Sequence, residues 1–134
     1  NTMMRGRLVL GKGCRIGYAA ELKNAVLRDG VSVGPMCYVA DSVLDVKVYL
    51  GAMVRTSNHR LDKKPVASEY KGLVTNTGME KLGAFIGRDT FLGIQVIIYP
   101  GRIVPKDSMF APRITIEKNL PEGRYKIKQV IESF

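Results

Sequence analysis

LGKGCRIGYAAELKNAVL, residues 10–27, sets aliphatic side chains at Leu10, Ile16, Leu22 and Leu27, in steps of six, six and five. The beat continues through Val33, Val39, Leu44 and Leu50, and returns at Ile86, Leu92, Ile98, Ile103 and Met109. A helix would place apolar groups three and four apart and a half-buried strand would alternate by two, so a step near six describes a larger repeating unit. Three such steps make one turn of about seventeen residues, the rung of a three-sided parallel β-helix.

The residues between the marks agree. Gly11, Gly17, Gly34, Gly51, Gly87 and Gly93 each follow a mark, where a sharp turn leaves no room for a Cβ. Small or β-branched residues recur four places after a mark: Cys14, Ala20, Val26, Val31, Cys37, Val43, Val48, Val54, Thr90 and Val96. These are the expected second inward positions of a core too narrow for large side chains.

The 134 residues suit one domain, with 46% hydrophobic residues to fill it. Boundaries are expected at 1–123 for the solenoid, with an inserted loop at 57–81, and at 124–134 for a capping segment. The loop is rich in polar residues (Ser57, Asn58, His59, Arg60, Asp62, Lys63, Lys64), and loops beyond about 12 residues are usually functional or disordered. Within it, Val66 to Tyr70 and Leu73 to Thr75 flank Lys71-Gly72 as a small hairpin. Ile127, Val130, Ile131 and Phe134 fall at helical spacing and predict a short amphipathic C-terminal helix capping the last coil. The chain begins almost directly in coil register, which reads either as a fragment of a longer protein or as a first coil covered by a partner.

The net charge of +9 comes from Lys and Arg spread along the chain. It favours anionic ligands without the basic, aromatic-interleaved stripe of a single-strand nucleic-acid binder, and no nucleic-acid partner is expected. No apolar stretch reaches the roughly 18 residues of a membrane span, and the N-terminus lacks a signal-peptide core, so no membrane partner and a cytoplasmic location are expected. Cys14 and Cys37 fall on inward positions and read as small packing residues in a reducing compartment, not as a disulfide or a metal centre.

Residues 21–27 (ELKNAVL), 38–44 (YVADSVL) and 81–87 (KLGAFIG) resemble the acetyltransferase half of bifunctional sugar-1-phosphate nucleotidylyltransferases, the archaeal members above all. The resemblance runs from about Arg5 to Gly123 and spans the loop. It implies a left-handed β-helix, a homotrimer and N-acetyl transfer from acetyl-CoA to glucosamine-1-phosphate, with a nucleotidylyltransferase domain upstream. The family's sugar-phosphate ligands carry over to Arg5, Lys23, Tyr38, Asn58 and Lys64 without a gap. Arg supplies a planar fork for phosphate, Lys a mobile point charge, Tyr and Asn directed hydrogen bonds to hydroxyls. Taken singly, each is also an ordinary surface residue: solvated charges, a turn tyrosine, loop polar groups.

The resemblance breaks at one place that matters. The family's catalytic histidine aligns with Pro35, which has no titratable group, and a second family asparagine is replaced by Tyr49. A positioned general base is typically worth about 10²–10⁴ in rate. His59, the only imidazole, follows Asn58 and is the candidate for a displaced base, against the plainer reading of a solvated loop histidine. Acetyl-CoA is expected along the later coils, with Ile94 and Ala111 lining its groove and Arg113 and Lys118 near its phosphates. Two functions remain: an acyltransferase acting on an amino-sugar phosphate, or a non-catalytic module that trimerises a nucleotidylyltransferase and binds a sugar phosphate as a regulator.

Overall fold

A computed structural model describes residues 1–134. The chain is all-β and winds as a left-handed parallel β-helix of about seven turns. Each face is a stack of short strands in parallel register. The first face runs through Tyr38–Ala40, Arg55–Thr56, Ile97–Ile98 and Thr115–Ile116, the second through Val43–Leu44, Phe85–Ile86 and Ile103–Val104. The longer strands Met3–Leu10 and Glu21–Leu27 bend across the corner and belong to both. The third face stacks Arg15–Ile16, Ser32–Val33, Tyr49–Leu50, Phe91–Leu92, Met109–Phe110 and Arg124–Tyr125.

The core is the expected column: Leu22, Leu27, Val33, Val39, Leu44, Leu50, Ile86, Leu92 and Ile98 are all buried. Two parts of the pattern are corrected. After the loop the coil lengthens by one residue, so Ile86 stacks on Val104 and Leu92 on Phe110. Val104 and Phe110, not Ile103 and Met109, therefore fill the core. On the second face, strict alternation beside Leu27 turns Ala25 inward and leaves Val26 exposed. The post-mark glycines are also needed for a different reason. None of the six has positive φ; a Cβ on Gly34 would lie 2.8 Å from Leu50 O and Ala52 N of the next coil, so coil-to-coil approach excludes it. The left-handed residues come two places later, at Gly13, Ala19, Met36, Met53, Asp89 and Gln95.

The loop leaves the corner between the first and second faces, and its base is pinned by Leu82 N donating to Asn58 O (2.9 Å) and by a bridge between His59 and Lys81. The hairpin is as expected: Ala67–Tyr70 pairs antiparallel with Leu73–Asn76 through Lys71 and Gly72, both at positive φ as a two-residue type I′ turn requires. Buried Val66 and a bond from Ser68 Oγ to Gly101 O (2.9 Å) seat it on the solenoid. Where the excursion interrupts the backbone ladder, hydroxyls complete it: Ala40 N donates to Thr56 Oγ1 (2.8 Å) and Ala84 N to Ser42 Oγ (2.9 Å).

No helix forms at the C-terminus. The end of the solenoid is closed by Tyr125, whose ring stacks on Phe110 with centroids 4.9 Å apart and whose hydroxyl donates to Pro121 O. Ile127, Val130, Ile131 and Phe134 are exposed and without helical structure. A segment this short and rich in β-branched residues does not sustain a helix alone, and nothing in the chain covers its apolar side.

Candidate functional site

The corner between the first and second faces carries a polar ladder. Gly6, Asn24 and Asp41 occupy it with φ of 74°, 46° and 49°, and Asn58 enters at the loop base. Gly6 has no Cβ because one would lie 2.1 Å from Asn24 Oδ1, which instead accepts Arg7 N at 3.0 Å. Asn24 Nδ2 donates to Asp41 Oδ1 (3.1 Å); Asp41 Oδ2 accepts both Asn58 Nδ2 (2.6 Å) and Lys23 Nζ (3.2 Å). Burial pushes the Asp41 carboxyl up, but the hydrogen bonds from Asn58, Asn24 and Lys23, with the Lys23 charge, outweigh it and hold the group below the ordinary carboxylate range. Asp41 is thus an anion that gathers donors at pH 7.

Arg5 stands one coil over Lys23, and Glu21 one coil over Tyr38. Arg5 Nε donates to Glu21 Oε1 at 2.6 Å, which raises the already high guanidinium pKa. Of the five expected substrate ligands, Arg5, Lys23 and Asn58 therefore gather at the end of the first face next to the second, while Tyr38, level with Glu21 and Arg55, stands at the start of that face on the Pro35 side. Lys64 does not join them by any side-chain bond. It is exposed in the loop, where its backbone N donates to Asp62 Oδ1 (3.2 Å), and Asp62 is held well below the usual carboxylate range chiefly by the Arg60 hydrogen bond.

Pro35 lies at the other end of the first face, in the turn from the third face, with its carbonyl accepting Met53 N. His59 is at the loop base, exposed, beside a cleft of about 590 Å³ that Ser57, Arg60 and Asp62 also line. Within one chain, then, the imidazole does not stand where Pro35 stands. Of the expected cofactor residues, Ile94, Ala111 and Arg113 share the Pro35 corner, Arg113 N donating to Ile94 O at 2.9 Å. Arg113 borders two shallow clefts there, one of about 380 Å³ with Arg55 and Ile97, the other of about 600 Å³ with Ala111 and residues 126–130. Lys118 does not join: two residues beyond Ile116, the chain has turned toward the opposite corner.

Asp41 and Asn24, though within residues 21–27 and 38–44, were not among the expected ligands. Their signal was periodic: Asn24, Asp41 and Asn58 recur 17 residues apart, one per coil at a single corner.

A chain with this rung length, stacked strands and projecting loop is a hexapeptide-repeat β-helix. It is homologous to acetyltransferase-domain proteins, matching only a C-terminal part of them. It is 47% identical over 121 residues to an uncharacterized acetyltransferase YaiX of Escherichia coli O6:K15:H31, covering 90% of this chain and 53% of that one. It is 32% identical over 125 residues to a bifunctional sugar-1-phosphate nucleotidylyltransferase/acetyltransferase of Sulfurisphaera tokodaii, covering 93% of this chain and 31% of that one. The chain thus spans about half the length of the first relative and under a third of the second. Among solved structures, a maltose O-acetyltransferase from Clostridium difficile 630 aligns with a TM-score of 0.44 and 19% identity, covering 90% of this chain and 61% of that one. No protein-family model matches.

Proposed function

We propose that the chain is the acyl-transfer domain of an acetyl-CoA-dependent enzyme whose acceptor is an amino-sugar phosphate. The observation that supports it most is the convergence of Lys23 and Asn58 on Asp41, beside Arg5: cations and directed donors at one end of one face, with Tyr38 on the same face, in a homologue of proteins described as acetyltransferases. In this reading Arg5 and Lys23 bind the phosphate, Tyr38 and Asn58 the sugar hydroxyls, and Lys64 closes over them from the loop. The acceptor amine attacks the thioester carbonyl, an N–C bond forms as the C–S bond breaks, and the proton lost by nitrogen ends on the departing thiol or solvent. With Pro35 unable to take that proton, His59 or water does so, and most of the rate comes from holding amine and thioester together.

The thioester lies along the Pro35 corner past Ile94, Ala111 and Arg113, with Lys118 reaching it only from a neighbouring copy. A homotrimer brings the two ends of the first face together across subunits. Exposed Tyr49 and Phe91, rings 5.9 Å apart on the third face, and Met109 above them give it an apolar contact strip. A nucleotidylyltransferase domain preceding this one, in the cytoplasm, completes the reading.

The assay is purified chain with acetyl-CoA and glucosamine-1-phosphate, monitored for free thiol. Turnover that falls at least tenfold in Lys23→Ala supports the proposal. Binding of the sugar phosphate with no thiol release favours the second reading, a regulatory trimerisation module, which the Pro35 substitution supports. Turnover that survives His59→Ala removes His59 from the mechanism.

A further inference from the structure

We propose that the cleft beneath the projecting loop is a binding site for an organic oxyanion, with Arg102 as its anchor. The position of this arginine is heavily determined. Its N donates to Tyr99 O (3.3 Å) and its carbonyl accepts Phe85 N (3.0 Å), while the preceding Gly101 sits so close under the hairpin that a Cβ would lie 2.4 Å from Ala67 O. The side chain, by contrast, is unanswered. Arg102 Nε is buried without a hydrogen-bond partner, the one side-chain atom of the chain in that condition, and no carboxylate lies within ion-pair distance of the guanidinium.

Arg102 is half-buried at the wall of the cleft with its Nε unanswered, so an anion in the cleft, met by the guanidinium's terminal nitrogens, supplies the charge partner that the chain does not. The neighbouring charges leave that role to Arg102. Arg60 is committed to Asp62 through two nitrogens (Nε 2.8 Å, Nη2 2.5 Å), which cancels the only carboxylate in the lining. Ser57 and His59 add polar groups at the rim. A volume of about 590 Å³ exceeds what an oxyanion alone fills, and Leu61, Val66, Ala67, Tyr99 and Pro100 provide an apolar wall. The ligand is therefore a phosphate or carboxylate carried on a small apolar or planar body. The cleft is distinct from the Asp41 corner, since Asn58 points from the loop base to Asp41 whereas its neighbours Ser57 and His59 line the cleft; His59 is the one residue it shares with the proposed acyl transfer.

Inorganic phosphate is titrated into the intact chain while the Arg102 Nε–H resonance and the thermal midpoint are followed. Saturable binding in the range of about 1 mM, with the Nε–H signal shifted and the midpoint raised, is the expected result. Arg102→Gln weakens it tenfold or more, Arg102→Lys less, and Lys12→Gln, at a distant corner, leaves it unchanged. Acetate that competes marks a general oxyanion site; acetate that does not marks a phosphate site. Unchanged binding in Arg102→Gln, or no saturable binding in the parent chain, overturns the proposal. Without phosphate, Arg102→Met should melt no lower than the parent, because it removes an unanswered buried donor. A clear fall shows that the arginine serves the fold and equally overturns the proposal.

Discussion

Asp41 shows how much one carboxylate organises here. Three donors from the coils on either side, Lys23 and Asn24 from one and Asn58 from the other, end on it, so it holds two proposed substrate ligands in place and ties the loop base to the solenoid. Asp41→Ala strands those donors and is expected to cost about 1–3 kcal/mol in chemical denaturation. It should also raise KM for the sugar phosphate more than it lowers kcat, since it positions binding groups and touches no reacting atom. Because the folded pKa is depressed, its contribution is complete above the unfolded value near 4 and disappears as pH falls through the folded value. Denaturation of the parent chain below pH 4 should therefore steepen relative to Asp41→Asn, and parallel acid limbs would contradict the assignment. The family resemblance singled out Arg5, Lys23, Tyr38 and Asn58, and a coil of fixed length, which maps sequence separation onto position around its axis, sets Arg5, Lys23 and Asn58 at one corner with Tyr38 on the same face. Lys64 and Lys118 stand apart within one chain, the first in the projecting loop and the second beyond Ile116.

At the level of the strand and turn, the glycine column is the most exposed to mutation. Gly34→Ala places a methyl group 2.8 Å from backbone of the next coil, and a cost of about 1–3 kcal/mol in thermal or chemical unfolding is expected. Gly13→Ala meets nothing within 4 Å and faces only its left-handed φ of 69°, so its cost of about 1–2 kcal/mol arises locally. If both variants lost the same stability and Gly34→Ala left neighbouring amides unshifted, coil-to-coil contact would not be the reason for glycine there. These elements were largely legible from letters, since Leu22, Leu27, Val33 and Val39 are spaced by the coil itself. Val26 was misread because its neighbour Ala25 also suits the narrow interior, and alternation beside Leu27 decides between them. The C-terminal segment was misread because apolar residues at helical spacing specify a helix only when something covers them.

For the molecule as a whole, the unpartnered strip of Tyr49, Phe91 and Met109 leads to a prediction about assembly. Equilibrium sedimentation should give three times the chain mass, and Phe91→Glu should give the single-chain mass by burying a charge in an apolar contact. A monomeric parent chain would sink the trimeric reading of the site. A broader consequence comes from the way the winding resumes after the loop. Val43 meets Phe85 and Tyr49 meets Phe91 in the same parallel register that Val26 and Ser32 keep with Val43 and Tyr49. The excursion therefore enters and leaves through a single gate in the wall, and the spiral behind it is continuous. Such a chain can exchange the outcropping for one of another length or chemistry while its scaffold stays the same, so new ligand preferences can evolve at the gate without redesign of the tower that carries it.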